Sequence, residues 1–411
     1  MKSENEWIVG KNVREFQSQL DVGDYCHNNR EKFVNNEVYV DENGIYHYIE
    51  PHCNCGSHNV VKLDSNEKKL MNEKTGEWIK IRVKKYKCKD CGKISQVEIE
   101  GYDKYCNYSN DFKDKLSKIN RVRHIPLRLI QYLLNLTNNI HISHELIRLN
   151  HLITQDTYWK NENLKPSGYC GYDVQWFPID GKWQYLHVLY DTYNKQPIAL
   201  ETTKTETKKD IKNFIDKSIK YHERKCIVTD LKIEYRDIMQ ELDFDQQLCS
   251  FHFIQNLSKK INEQIKEDKQ NLKNELKNEY KDMPENKLDE IIDEMLEDTI
   301  NLYSDCKNEI IEIFNQNSHK EAVEYIENLK IKSLEYPEFL KKYLHNEVFP
   351  IYKKYITFLK EEYNGKVDNT NNKTEGYIGF GANKSEKRKY RTDLGFFNHI
   401  VARAHFWIEK C

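Results

Sequence analysis

The chain has 411 residues, of which 38% are hydrophobic and 12% aromatic, and its mean hydropathy is -0.87. This length allows two or three domains, and the aromatic content argues against wholesale disorder. The net charge of -2 excludes an overall basic protein, although the segments 80–93 and 384–391 are rich in Lys and Arg. The sequence therefore predicts a folded protein with locally basic surfaces.

The first residues, MKSENEWIVG, lack the apolar stretch of a signal peptide. No segment approaches the roughly 18 consecutive apolar residues of a membrane span. We therefore expect a cytoplasmic protein with no membrane partner. The 11 cysteines, an odd number, favour metal ligands and buried thiols over disulfides in that compartment. Residues 1–50 are polar and weakly patterned, and we assign them no role.

Residues 51–105 contain two clusters rich in Cys and His, separated by a polar turn and the alternating strand WIKIRVKKYKC. This is the outline of a zinc ribbon, in which metal-binding turns lie at the tips of hairpins. The second cluster, CKDC, has the regular spacing, whereas the first, HCNCGSH, does not. Because thiolates bind zinc strongly, we favour the cysteines of both clusters as ligands. They are Cys53, Cys55, Cys88 and Cys91, and His52 is the alternative ligand.

Residues 106–165 have apolar residues at helical spacing around the polar break NLTNNIHIS. Ser143 with Glu145 could start the second helix of a pair, and two short helices around a tight turn suit a helix-turn-helix. Beside such a pair, basic side chains are candidates for DNA contact, and they are Lys84, Lys85, Lys87 and Arg148. The alternative for the lysines is a solvated edge strand.

Residues 166–254 contain three alternating runs separated by the hairpin signals DG and NKQ. A helical stretch and the strand KCIVTD follow. This order matches an RNase H-like core, so we predict an α/β (α+β) fold with a mixed sheet. Residues 255–362 are highly charged and almost entirely helical in pattern, which predicts an all-helical insertion. Residues 363–411 return to the core and carry Glu375.

Two aspartates stand at strand positions that meet in an RNase H-like sheet. Asp173 lies on the first strand and Asp230 ends the fourth, and Glu375 is the natural third carboxylate. Three carboxylates around one point form an anionic pocket that hard divalent cations relieve. Two Mg²⁺ ions about 3.5–4 Å apart can activate a water and stabilise the leaving oxygen of a phosphodiester.

Other carboxylates are alternatives at two of these positions. Asp180, in a hairpin turn, and Asp191, at the end of the second strand, compete with Asp173, and Asp191 could also assist as its neighbour. Glu386 competes with Glu375, but basic residues surround it and indicate a phosphate-binding face. These basic residues include Lys384, Lys387 and Arg388.

The motifs GYDVQW, VTDLKIEY, CSFH and NNKTEG, in this order, resemble those of prokaryotic insertion-sequence DDE transposases, in the neighbourhood of the Mutator-like group. The resemblance covers roughly residues 50–405. It implies that the three carboxylates ligate two Mg²⁺ ions, which Mn²⁺ could replace, and that 255–362 splits the catalytic core. It also implies that Cys249 and His252 lie near the active site, with His252 close to the DNA strand or an ordered water.

We therefore expect a transposase that cleaves transposon ends and joins them to target DNA. The region 51–165 would bind the end, with the second helix of the helix-turn-helix in the major groove. The expected partners are double-stranded DNA with terminal inverted repeats, target DNA and a second copy of the chain, and the expected location is the nucleoid. Two alternatives remain, an inactive DNA-binding regulator and an RNase H-like nuclease that cuts without joining.

Overall fold

The computed structural model describes residues 37–103, 106–122, 125–151, 156–277, 284–363 and 365–410. Residues 1–36, which form most of the unassigned N-terminal segment, lie outside this description. The described chain forms two compact units. The first extends to Asp156 and includes Leu394–Glu409, and the second is Thr157–Asp393. Along the described residues, no helix combines the length and the apolar character needed to cross a membrane.

Among the described residues, the sheet of the first unit has five strands. They are β1 (Val38–Val40), β2 (Ile45–Tyr48), β3 (Val60–Asn72), β4 (Glu77–Cys88) and β5 (Ile94–Gln96). The strands β3 and β4 form a long antiparallel hairpin with an irregularity between Lys62 and Ser65. Strand β4 also pairs with β2 in parallel and with β5 antiparallel. The lysine-rich strand is therefore an inner strand of the sheet, not the edge strand that we considered for it.

Three helices follow this hairpin in the first unit, and they are α1 (Asn110–Val122), α2 (Leu127–Asn138) and α3 (His144–His151). The Ser143 hydroxyl accepts a hydrogen bond from the Leu146 N–H at 3.1 Å, so this serine caps α3 as predicted. The buried faces of the helices pack together with Met71 of β3. The C-terminal helix, Asp393–Lys410, groups with this unit over most of its length, rather than with the core that follows residue 363.

The second unit has a mixed sheet of six strands. They are β6 (Tyr158–Lys160), β7 (Tyr169–Ile179), β8 (Lys182–Asp191), β9 (Gln196–Thr203), β10 (Cys226–Thr229) and β11 (Asp245–Leu248). Their order is β11-β10-β7-β8-β9-β6. The strands β7, β8 and β9 are antiparallel, whereas β10 runs parallel to both β7 and β11. This is the predicted RNase H-like topology, with β6 as an additional edge strand.

Two helices cover one face of this sheet, namely α4 (Lys208–Ile219) and α5 (Ile233–Glu241). Helix α4 begins with a capping box, because the Thr207 hydroxyl accepts from the Asp210 N–H and the Asp210 carboxylate accepts from the Thr207 N–H. Large apolar side chains of both helices are buried against the sheet, among them Phe214 and Tyr235. This packing fixes the strands that carry the candidate site.

The region after β11 is helical, as predicted. Its helices are α6 (Ser250–Leu276), α7 (Glu285–Ile311), α8 (His319–Lys332) and α9 (Glu338–Tyr343). They bury a hydrophobic core that includes Phe253, Ile310 and Leu340. Short 3-10 and π-helical turns follow up to residue 359, and helix α10 (Asn372–Gly381) then returns to the sheet. No strand occurs within the described ranges 250–277 and 284–363.

Candidate functional site

Asp173 and Asp230 come from neighbouring parallel strands. Asp173 lies within β7, and Asp230 directly follows β10. Val228 of β10 stands opposite Gly171 of β7. Two residues further along both strands, Asp230 is level with Asp173. The sheet thus brings together two carboxylates that are far apart in the sequence.

Glu375 reaches the same place on the first turn of α10, which lies unusually close to β7. A Cβ atom on Gly171 would stand 2.0 Å from Thr374 Oγ1 and 2.8 Å from Asn371 Oδ1. Because real Cβ contacts are never that short, only glycine allows α10 to lie here. The Asn371 amide also donates to the Tyr172 carbonyl at 3.1 Å.

The far end of α10 is tied to the same strand. The side-chain amide of Gln175 on β7 donates to the Ala382 carbonyl, which follows α10, at 2.8 Å. Helix α10 is therefore held to β7 at both of its ends. This double attachment positions Glu375 relative to Asp173.

The three carboxylates share an unfavourable electrostatic environment. Burial and then the charges of Asp230 and Glu375 raise the pKa of Asp173 to about 7, against the lowering effect of the Val174 N–H. That N–H donates to Asp173 Oδ1 at 2.7 Å. Burial also raises the pKa of Asp230. The arrangement therefore calls for a cation or a proton among the carboxylates.

His252 and Cys249 lie beside Glu375. His252 Nδ1 is 3.8 Å from Glu375 Oε1, and neither of these buried atoms has a hydrogen-bond partner in the described structure. The Cys249 sulfur accepts from the Asn371 N–H at 3.3 Å. The Cys249 sulfur and then the Glu375 and Asp230 charges raise the pKa of His252 to about 9, against the opposing effect of burial. The imidazole thus adds positive charge next to the carboxylates at neutral pH.

Two groups of possible metal ligands have all their ligand atoms within 4.8 Å of one another among the described residues. One is formed by Cys249, His252 and Glu375, and the other by the four cysteines of the ribbon. Asp173, Asp230 and Glu375 together do not form such a group. The Asp230 and Glu375 charges affect the pKa of Asp173, but at least one pair of the three carboxylates is farther apart than that limit.

The alternative carboxylates have other surroundings. Asp191 accepts from the Ser167 N–H at 2.7 Å and from the Asn194 N–H at 2.7 Å, so it fixes the loops around the end of β8. Asp180 occupies the turn between β7 and β8 with a φ of 48°. Glu386 accepts from the Asn383 N–H at 3.2 Å within a turn. These contacts are structural, and we assign none of the three residues to the candidate site of Asp173, Asp230 and Glu375.

The four cysteines of the first unit converge at the base of the β3–β4 hairpin. Cys53 Sγ is 3.5 Å from Cys91 Sγ, and Cys55 Sγ is 3.8 Å from Cys88 Sγ. Sulfurs in a tetrahedral zinc site with Zn–S bonds of about 2.3 Å are about 3.8 Å apart. The His52 Nδ1 instead lies 3.1 Å from the Glu50 carbonyl. The cluster could therefore hold a metal ion with four thiolate ligands.

The predicted DNA-contacting residues are distributed over both units. Lys84 and Lys85 are neighbours on β4, so they point to opposite faces of the sheet. Lys85 Nζ lies 3.5 Å from the Asp64 carboxylate. Lys87 is exposed and shares a face with Lys85. Arg148 belongs to α3, but its side chain lies outside the described residues.

In the second unit, the segment after α10 brings a basic cluster to β7. Lys387 Nζ donates to the Trp176 carbonyl at 2.6 Å. Burial, and then the charges of Arg388 and Lys384, lower the pKa of Lys387. Because the Arg388 and Lys384 charges affect the Lys387 pKa, these three cations are close neighbours. Lys384 and Arg388 are exposed to solvent.

Sequence patterns did not single out Gly171 or Asn371 as site residues. Both are the first residues of motifs that we singled out, GYDVQW and NNKTEG, but neither carries a charge. A glycine two residues before the strand aspartate indicates a close helix contact only when a helix is already known to cross that strand. The helix in question begins about 200 residues later in the chain.

Comparisons with known proteins give one extensive similarity. No protein-family model matches the chain. A chain of the simian T-cell lymphotropic virus intasome in complex with PP2A regulatory subunit B56 gamma is 14% identical, with a TM-score of 0.19, over 43% of this chain and 66% of that chain. So low a TM-score does not establish a common fold.

A protein of Methanobrevibacter smithii, described as "Insertion element ISM1 uncharacterized 48.3 kDa protein", is 26% identical over 381 residues. The similarity covers 92% of this chain and 87% of that protein. The chain is thus similar to an insertion-element protein along nearly its whole length, which confirms the resemblance indicated by its motifs.

Proposed function

We propose that this chain is a DNA transposase that cleaves the ends of an insertion element and joins them to target DNA. The observation that carries the proposal is the meeting of Asp173, Asp230 and Glu375 from three separate elements of an RNase H-like unit. The similarity to an insertion-element protein over 92% of the chain supports this function.

The residues of this site fit divalent cations. Their donors are carboxylate oxygens, which Mg²⁺ and Mn²⁺ prefer, and Glu375 Oε1 is buried without a hydrogen-bond partner in the described structure. Burial, and to a smaller extent the charges of Asp230 and Glu375, raise the pKa of Asp173, so a cation here would favour its charged form. Asp173, Asp230 and Glu375 would hold two Mg²⁺ ions, and Mn²⁺ could substitute.

Bound there, the ions would activate a water or a 3'-hydroxyl and stabilise the oxygen that leaves the phosphodiester. Asp173 and Asp230 would act from rigid strand positions, so the distance between them is set by the sheet. Glu375 would act from a helix that is fastened to β7 at both ends. The charged His252 imidazole would lie close to the phosphodiester and favour its approach.

The first unit would recognise the DNA end. Cys53, Cys55, Cys88 and Cys91 would hold a structural Zn²⁺ ion, because their sulfur spacing matches a tetrahedral site. The module 51–105 and the helices of 106–165 would bind terminal inverted repeats. Residues 166–254 with 363–393 would form the catalytic core, and 255–362 the insertion. Assembly on paired DNA ends would involve at least two copies of the chain.

Two other functions make different predictions. A DNA-binding regulator derived from a transposase would bind the repeats without cutting them in Mg²⁺. An RNase H-like nuclease would nick DNA in Mg²⁺ without producing joined products.

One assay separates the three functions. The full chain is incubated with DNA that carries the inverted repeats flanking its gene, together with a target plasmid, with and without Mg²⁺. We expect cut and joined products that appear only with the metal ion. Binding without cutting would support the regulator, and nicks without joined products would support the nuclease.

A further inference from the structure

We infer that the tip of the β7–β8 hairpin carries a stacking platform for unpaired bases, formed by Trp176 and Trp183. The inference deepens the proposed function and rests on it, because the bases would belong to the DNA that the proposed transposase cleaves and joins. It assigns a binding role to two aromatic residues outside the metal-binding group.

The hairpin extends beyond the point where the catalytic strands meet. Strand β10 ends at Thr229, which is level with Tyr172. Beyond Asp173, β7 continues to Ile179 and pairs with β8 in the described structure. Trp176 is three residues beyond Asp173, which corresponds to about 10 Å along a strand. Because side chains alternate along a strand, Trp176 points to the opposite face of the sheet from Asp173. The platform would therefore hold bases of DNA that has passed round the end of the hairpin, a few nucleotides from the carboxylates.

Both indole rings are exposed to solvent. Trp176 is 50% exposed and Trp183 is 57% exposed. Their ring centroids are 6.5 Å apart at an angle of 60°, and the Tyr185 ring packs edge-on 6.1 Å from Trp176. An exposed patch of large aromatic side chains on a strand pair is costly in water unless it is covered by a ligand or partner.

The charge around the rings identifies the occupant. Lys387 is bonded to the Trp176 carbonyl, and Lys384 and Arg388 lie close to Lys387. Lys232 Nζ lies 6.0 Å from the centre of the Trp176 ring and is paired with the Glu206 carboxylate, so Lys384, Lys387 and Arg388 supply the positive charge for phosphates. Aromatic faces beside cations are the arrangement that binds single-stranded nucleic acid, because bases stack on the rings and phosphates approach the cations. A second copy presenting the same cations would be repelled, and a paired duplex does not expose the faces of its bases.

The direct test measures binding of the full chain to a fluorescein-labelled oligothymidine and to a fully paired duplex of similar charge. We expect Trp176→Ala and Trp183→Ala each to weaken oligothymidine binding by about 10-fold. The duplex affinity should change much less. Trp176→Phe and Trp183→Phe should retain most of the oligothymidine affinity, since phenylalanine also stacks.

Tyr221→Ala is a matched control. Tyr221 is 85% exposed, and Lys220 Nζ lies 5.5 Å from its ring centre. It follows α4 and precedes the start of β10, so it lies at the opposite end of the strand from Asp230. This variant should bind oligothymidine as the unchanged chain does.

A second measurement does not depend on the folding of a variant. A 2-aminopurine placed in the oligothymidine should lose fluorescence on binding to the unchanged chain, because the base stacks. Unchanged fluorescence, or alanine variants that bind oligothymidine normally, would overturn the platform. Equal losses for oligothymidine and duplex would also overturn it in favour of a general DNA surface. The catalytic proposal is tested separately, because none of these measurements requires Mg²⁺ or cleavage.

Discussion

Gly171 of β7 and Thr374 of α10 are in such close contact that a Cβ atom on the glycine would stand 2.0 Å from the threonine hydroxyl. Thr374 immediately precedes Glu375, and Gly171 lies two residues before Asp173. The contact therefore sets how closely the helix carboxylate approaches the strand carboxylate. An uncharged residue thus determines the geometry of a charged site.

We expect Gly171→Ala to displace the first turn of α10 from β7. Forcing a methyl group into a packed contact costs about 1–3 kcal/mol, so the free energy of unfolding should fall by that amount. Metal-dependent DNA cleavage should fall much more than DNA binding, because Glu375 moves away from the other carboxylates. Urea denaturation and the cleavage assay measure the two effects.

Gly379→Ala is the matched control on the same helix. No atom lies within 4 Å of the Cβ position of Gly379. Because alanine favours a helix over glycine by up to about 1 kcal/mol, this variant should be as stable as the unchanged chain or slightly more stable, and it should cleave normally. If Gly171→Ala behaved in the same way, the contact with Thr374 would not position the helix.

The ribbon should bind zinc through four thiolates. We expect the purified chain to contain one zinc ion, and Cys55→Ser or Cys88→Ser to lose it. Removing a direct ligand should weaken zinc binding by more than the roughly 10–100-fold that is typical when only a residue hydrogen-bonded to a ligand is removed. His52→Ala should retain the ion, because His52 Nδ1 lies against the Glu50 carbonyl.

Metal analysis and competition with a chelator of known affinity measure the zinc content of these variants. If His52→Ala lost the ion while Cys55→Ser kept it, the histidine would be the fourth ligand. The spacing of the four sulfurs would then have been misinterpreted.

His187 should make the second unit sensitive to acid. Burial lowers its pKa to about 4, while the Glu206 charge opposes this effect. The Thr203 hydroxyl donates to the Thr205 carbonyl, so it accepts from His187 Nε2–H, and the other ring nitrogen accepts from the Tyr172 hydroxyl. A proton on that nitrogen would reverse this last bond, so that the Tyr172 hydroxyl accepts and its own O–H loses its acceptor.

The unfolded chain binds the His187 proton below pH 6.5, whereas the folded chain binds it only near pH 4. Stability is therefore complete above pH 6.5 and decreases as the pH falls through this window, by about 3 kcal/mol for this group. His187→Gln should reduce the pH dependence of the free energy of unfolding between these limits. An unchanged slope would show that folding does not lower the His187 pKa.

Local patterns predicted much of this fold. The three alternating runs, the following helix and the strand that ends in Asp230 indicated the RNase H-like strand order, and the structure has it. Ser143 indicated the start of α3 because its hydroxyl can accept a backbone N–H. Such features depend on residues that are close in the sequence.

Contacts between distant residues were not predictable in the same way. The parallel pairing of β2 with β4 makes the lysine-rich strand internal, but β2 comes from a segment that looked unpatterned. The contact of Gly171 with Thr374 depends on a helix that follows the whole helical insertion. The exposed Trp176 and Trp183 looked like ordinary strand residues, because aromatic residues are common in strands.

The central claim is that Asp173, Asp230 and Glu375 act as one metal-binding group. The most direct measurement compares Mg²⁺-dependent cleavage of DNA with its inverted repeats by Asp173→Asn, Asp230→Asn and Glu375→Gln. Asp180→Asn and Glu386→Gln serve as controls, because these two carboxylates lie in turns.

We expect each of the first three variants to cleave at least about 100-fold more slowly while still binding DNA, and both controls to cleave normally. Normal cleavage by any of the first three variants would contradict the assignment, as would loss of cleavage confined to the controls.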